Sequence, residues 1–172
     1  MGAPEPERSV RPPRRRRLVV LVSGSGSNLQ AIIDACGDGR RAADVVAGFD
    51  PDLVGLAGWM RLLTMSFLGW FPDRVVNLHP ALPGDLPGTG AIERAWAEAL
   101  AGTRTTTGVM VHLVPDEGVD DGPVIGTATV TIDTTTGFEA FAALVHATEH
   151  RLLVDALSEL CTDTADRTEV PA

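Results

Sequence analysis

Five apolar residues, Leu18-Val19-Val20-Leu21-Val22, run straight into Ser23-Gly24-Ser25-Gly26-Ser27-Asn28, after which Leu29, Ile32, Ile33 and Cys36 recur at helical spacing. An unbroken apolar run of this length suits a strand covered on both faces. Turning through glycines into a helix, it is the opening unit of an α/β sheet with parallel strands. The turn departs from two well-known phosphate motifs. Leu29 stands where a dinucleotide fingerprint has its third glycine, and no acidic residue closes a second strand at the expected distance. The lysine of a Walker loop is absent as well. What remains is a helix amino terminus, capped by Ser27 or Asn28, whose free N–H groups and dipole favour an anion. A purely structural turn is the alternative.

The rest of the chain continues the pattern. Gly37 to Ala47 offers only glycine, charge and alanine, but Asp52 to Gly58 reads as a second buried parallel strand, running into Trp59-Met60-Arg61-Leu62-Leu63. Ser66 to Trp70 reads as a short helix closed by Pro72. In Val75-Val76-Asn77-Leu78-His79-Pro80 the two-residue strand period points Asn77 and His79 to the same side, and Pro80 ends the pairing. The carboxyl edge of an open α/β sheet is where such folds hold ligands, although a hydrogen-bonded structural histidine is the plainer reading of His79. Pro80 to Gly90 is a loop. Ile92, Ala95, Trp96, Ala99 and Leu100 form a helical stripe stopped at Gly102. Thr107 to Val114 is a strand carrying His112 among valines, and the acidic loop Pro115 to Pro123 joins it to a strand over Val124 to Ile132. Thr136-Gly137-Phe138-Glu139 has the form of a capping box. It opens a long helix with the stripe Phe138, Phe141, Val145, Glu149, Leu152, Ala156 and Leu160, in which the Glu149 carboxylate must find a partner or a ligand.

Length and charge narrow the classes of function. At 172 residues the chain is expected to form one domain, 18–162, between a disordered Pro/Arg arm, 1–17, and a disordered tail, 163–172. Six arginines against Glu5 and Glu7 give the first 17 residues +4 of a total of −9, so the body carries −13. That sign argues against nucleic acid as the body's partner. It leaves room for a small phosphorylated ligand held by backbone amides. Cys36 and Cys161 share no metal-ligand spacing and read as reduced thiols. No apolar run reaches the length of a membrane span, and the glycines after Val22 cut short any signal-like stretch, so a cytoplasmic protein is expected.

Taken in order, Ser-Gly-Ser-Gly-Ser-Asn-Leu-Gln at 23–30, Ala-Gly-Trp-Met-Arg-Leu-Leu at 57–63, Asn-Leu-His-Pro-Ala-Leu at 77–82 and Asp-Glu-Gly-Val-Asp-Asp-Gly-Pro-Val-Ile at 116–125 resemble the phosphoribosylglycinamide formyltransferase family. The resemblance spans most of residues 18–160. It implies an α/β fold with a Rossmann-like, mostly parallel sheet flanked by helices. It also implies formyl transfer from 10-formyltetrahydrofolate, a co-substrate, to the amine of glycinamide ribonucleotide in purine biosynthesis, with no metal. Carried over, Asn77, His79 and Asp120 match the catalytic trio, and Gly26, Ser27 and Asn28 match the substrate phosphate loop. Glu149 matches a carboxylate that contacts the substrate, and Met60, Arg61, Leu63, Val114 and Asp116 fall where the family binds the folate. These residue types fit the chemistry. Attack of an amine on a formyl carbon makes an oxyanion that fixed N–H donors stabilise, and a carboxylate beside an imidazole orients it and helps to move a proton.

The chain also departs from that pattern. The family places two further βα units before the strand at Asp52, and Gly37 to Asp50 cannot hold them. The chain is roughly fifty residues short on the length a parallel crossover requires. Two missing edge units would leave Leu18 to Val22 as an apolar sheet edge open to self-association. Gly90 replaces a histidine of the family's loop, Met110 replaces a threonine, and Asp85 lies in a rearranged stretch of that loop. Other readings are a weak or inactive relative that serves as an interaction protein, a sister enzyme that formylates another amine or hydrolyses the same folate, and a zinc helix at His146-Ala147-Thr148-Glu149-His150.

Overall fold

The computed structural model describes residues 16–22, 40–59 and 61–162. The arm, the glycine turn with Gly26, Ser27 and Asn28, the helix predicted after it, Met60 and the tail lie outside the described residues. The described elements are β1 (Leu18–Val22), α1 (Arg40–Ala47), β2 (Leu53–Ala57), α2 (Met65–Leu68), β3 (Val75–His79), α3 (Ala91–Leu100), β4 (Thr106–Leu113), β5 (Val124–Thr131) and α4 (Phe138–Thr162).

The five strands form one sheet in chain order, β1-β2-β3-β4-β5. The first three are parallel, whereas β4 and β5 each run antiparallel to the strand before them. The parity of the strands sorts their residues. Val54, Leu56 and Val75 face one side, where they pack with Ala43 and Val46 of α1 and with Phe67, Leu68 and Phe71 around α2. Leu53, Val76 and Val111 face the other side and meet Ala156 of α4, with Leu152 and Leu157 packed beside it. A third cluster joins α3 to α4 through Ala91, Ala95, Phe141 and Val145. Burying a side chain such as Phe141 or Val145 contributes about 1.5–3 kcal/mol.

Several elements differ from the sequence reading. Residues 40–47, read only as glycine, charge and alanine, are helical, because two residues one turn apart, Ala43 and Val46, are enough to seat one turn against the sheet. Leu100, placed on the buried stripe of α3, is exposed. Thr136 does not cap α4: its hydroxyl donates to the Asp133 carbonyl, and Gly137 (φ 84°) accepts the first helical bond from Phe141 N–H instead. Nor is β1 covered on both faces. It pairs only with β2 among the described strands, with Val19 and Leu21 packed below it and Leu18 and Val20 exposed by 39% and 47%. That is the bare edge expected when two edge units are missing. No described helix is long and apolar enough to cross a membrane.

Candidate active site

β3 ends in the centre of the sheet with Asn77 and His79 on the α1/α2 side, as the strand period requires. Across the β3–β4 ladder Asn77 stands opposite His112, and His79 stands opposite Met110. Over this pair folds the acidic loop between β4 and β5. The Leu113 N–H bond to the Pro123 carbonyl ties its two ends together, and a Cβ at Gly122 would run into the Leu113 carbonyl. Glu117 ties the loop to α2, accepting from Met65 N–H at 2.7 Å.

The loop delivers Asp120 to both strand residues. Its Oδ1 accepts from Asn77 Nδ2 at 3.2 Å and its Oδ2 lies 3.2 Å from His79 Nδ1. Gly88 N–H donates to Oδ2 at 2.9 Å, and His112 Nε2 stands 3.6 Å from Oδ1 and 3.2 Å from Asn77 Nδ2. His112 in turn is steered by its Nδ1, which donates to the Leu113 carbonyl at 2.8 Å. The Asp120 side chain is 11% exposed and that of His79 5%. Burial pushes the Asp120 carboxyl up, but hydrogen bonding from His112 and Gly88 and the charge of the two imidazoles outweigh it and hold the group below the usual carboxylate range. Asp120 is thus a carboxylate with donors on both oxygens.

The second nitrogen of His79, Nε2, meets the Leu86 carbonyl at 3.1 Å. Both ring nitrogens therefore face acceptors, and a doubly protonated ring satisfies both. The loop carrying Leu86 is braced from two sides. Arg104 forms a bidentate pair with Asp85 at 2.6 and 2.9 Å and also reaches Glu98 at 2.6 Å. The Arg104 hydrogen bonds hold the Asp85 carboxyl below its ordinary range against some desolvation, and raise the guanidinium's own proton affinity. Beside the site opens a depression of about 390 Å³ with Pro87, Met110, Val119, Asp120 and Val124 among its walls. Its walls mix apolar side chains with the carboxylates of Asp85, Asp120 and Asp121, a combination suited to an organic ligand that carries polar groups.

Of the sequence-derived candidates, Asn77, His79 and Asp120 converge. Leu63 and Val114 both pack against the apolar cluster under β2, where Val114 N–H also donates to the Val75 carbonyl. Arg61 is exposed, and Asp116, also exposed, accepts from Gly118 N–H within its own turn. Glu149 finds its partner on its own helix, accepting from His146 Nδ1 at 2.6 Å, while the trio bonds elsewhere. Among the described residues no three His, Cys, Asp or Glu side chains are grouped to hold a metal ion, those of the 146–150 segment included. Sequence reasoning gave no role to His112. The signal was there, since an imidazole on the same strand face as Met110, among valines, must find a polar partner.

Residues 40–157 match the model of the formyl transferase family. The chain belongs to the formyltransferase family. Its relatives include the phosphoribosylglycinamide formyltransferases of Schizosaccharomyces pombe, 35% identical over 85% of this chain and 97% of the relative, and of Mycobacterium tuberculosis, 36% identical over 89% and 88%. A crystal structure of phosphoribosylglycinamide formyltransferase from Bacillus halodurans superposes with a TM-score of 0.71 at 28% identity, covering 91% of this chain and all of the other. One from Streptococcus pneumoniae gives 0.70 at 26%, covering 86% and 99%. The family fold is therefore retained in a shorter chain. The Schizosaccharomyces alignment extends over 202 positions, more than the 172 residues available here, so this chain omits positions that its relative has.

Proposed function

We propose that this formyltransferase moves the formyl group of 10-formyltetrahydrofolate to the amine of glycinamide ribonucleotide, using Asn77, His79 and Asp120. The observation that carries the reading is Asp120 hydrogen-bonded to Asn77 and ion-paired with His79, each at 3.2 Å, beside the carboxyl end of a central strand. Kinship with enzymes named for that reaction supports the choice of acceptor.

In this reading the acceptor amine attacks the formyl carbon, and negative charge gathers on the formyl oxygen. The Asn77 amide, turning from Asp120 or His112, and His79 Nε2–H are assigned as its donors. Nδ1 of His79 is committed to Asp120, so Nε2 is the nitrogen that can turn from the Leu86 carbonyl to the oxyanion. The attacking amine must lose a proton and the departing folate nitrogen must gain one. Asp120, with His79, is assigned to take the first and return it through water. Met60, Arg61, Leu63, Val114 and Asp116 are assigned to the folate. Gly26, Ser27 and Asn28 are assigned to the substrate phosphate, and Glu149 to a contact with the substrate. All these assignments follow the family pattern.

The test is product identity. Purified full chain, shown folded by cooperative melting, is given the formyl donor with glycinamide ribonucleotide, with methionyl-tRNA or with water alone, and products are identified by mass spectrometry. Formylglycinamide ribonucleotide in the first mixture is expected. Formate alone, formylated methionine, or no product from folded protein would overturn the reading.

A further inference from the structure

The turn Leu86-Pro87-Gly88 is the piece of backbone that touches both partners of the site's central ion pair. Its Leu86 carbonyl takes His79 Nε2 at 3.1 Å, and its Gly88 N–H donates to Asp120 Oδ2 at 2.9 Å. A shift of this turn therefore moves the imidazole and the carboxylate relative to each other. The turn does not hold its shape unaided, because Leu86 lies at φ 44°, in the left-handed region where a branched side chain is strained. Such a conformation persists only where its surroundings fix it.

Arg94, in the first turn of α3, supplies that fixing. One terminal nitrogen of its guanidinium, Nη2, donates to the Leu86 carbonyl at 2.7 Å and to the Pro87 carbonyl at 2.7 Å. The Leu86 oxygen is thereby shared between Arg94 and His79. When Nε2–H leaves that oxygen for a reacting formyl group, the carbonyl keeps a charge-assisted donor and the turn keeps its place. The α3 backbone that carries Arg94 is rigidly joined to the same loop, since Arg94 N–H bonds the Gly90 carbonyl at 3.0 Å.

We propose that Arg94 is a positioning residue for formyl transfer: it holds the Leu86–Gly88 turn so that His79 and Asp120 stay in register and His79 Nε2–H can be released to the substrate. This rests on the reading of His79 and Asp120 given above. Nothing in the residue's exposed position on a helix suggests a need for it in folding, and the Arg104–Asp85 pair anchors the same loop independently.

The experiment compares wild type with Arg94→Met and Arg94→Lys, each shown folded by cooperative melting. Steady-state formyl transfer is measured together with solvent exchange of the His79 imidazole N–H by NMR. Misplacement by about an ångström costs on the order of 100-fold in rate. Arg94→Met is expected to lower kcat by roughly 10- to 100-fold with KM within about threefold, and to speed exchange of the Nε2 proton. Arg94→Lys, whose point charge can meet one carbonyl at a time, is expected to recover part of both. Unchanged kcat with unchanged exchange in Arg94→Met overturns the proposal, as does a loss confined to KM. Wild type that is folded but inactive would overturn the reading of the site instead, and imidazole exchange would still decide whether Arg94 fixes the turn.

Discussion

Asp120 sits at φ 54°, a backbone region that asparagine and aspartate tolerate better than other side chains. Asp120→Asn therefore keeps the shape of the loop while removing the charge. It is expected to lower kcat by roughly 100- to 1000-fold with little loss of folding, and kinetics beside a thermal melt checks it. The same carboxylate makes a signed prediction about acid. Its folded pKa is depressed below the unfolded value of about 3.9, so the stability its bonds contribute is full above that pH and is lost as pH falls through the lower folded value. The stability gap between wild type and Asp120→Asn, from chemical denaturation, should thus narrow below about pH 4. A gap that stays constant down to pH 3 would show that the carboxylate draws no net stabilisation from His112, Gly88 and His79.

At the scale of elements, the acidic loop is the part that makes β3 a site. Gly122 allows it to lie against the Leu113 carbonyl, and a methyl group there has backbone in its way. Gly122→Ala should displace the loop, separate Asp120 from His79 and cost more activity than stability. Activity equal to wild type would mean that the loop adapts without moving Asp120. The sequence showed much of this arrangement. Two β-branched residues before Asn77-Leu78-His79-Pro80 marked the strand, and its period put both polar groups on one side. Asp120 had no such local signal, because a turn rich in Asp and Gly looks the same whether it is solvated or folded over a strand end; the family resemblance singled it out. The helix at 40–47 escaped notice because, among its side chains that are described, only Ala43 and Val46 are buried, with Ala47 partly buried beside them. The hold of Leu86 and Gly88 on the site was not readable at all, since backbone carbonyls and amides carry no residue type. Arg94 was hidden for a related reason: an arginine on the polar face of a helix normally meets solvent.

Among the described strands, the formyltransferase sheet ends at β1 on one side. Leu18 and Val20 of β1 lie beside Gly55, whose missing side chain covers neither. An apolar strand edge of this kind recruits another strand. Concentration-dependent self-association is the expected outcome, measured by sedimentation. Val20→Arg should weaken it without altering formyl transfer, because Val20 lies on the sheet face opposite Asn77 and His79. Association that is absent in wild type, or indifferent to Val20→Arg, would remove β1 as the contact.

The sheet keeps β3, β4 and the acidic loop together, and catalysis centres on His79. Turnover of glycinamide ribonucleotide and 10-formyltetrahydrofolate by the full chain, wild type against His79→Asn with both proteins melting cooperatively, tests it most directly. Measurable wild-type turnover is expected, with a kcat at least roughly 100-fold lower in His79→Asn and KM nearly unchanged. A His79→Asn protein that retains wild-type kcat within a few-fold would contradict it.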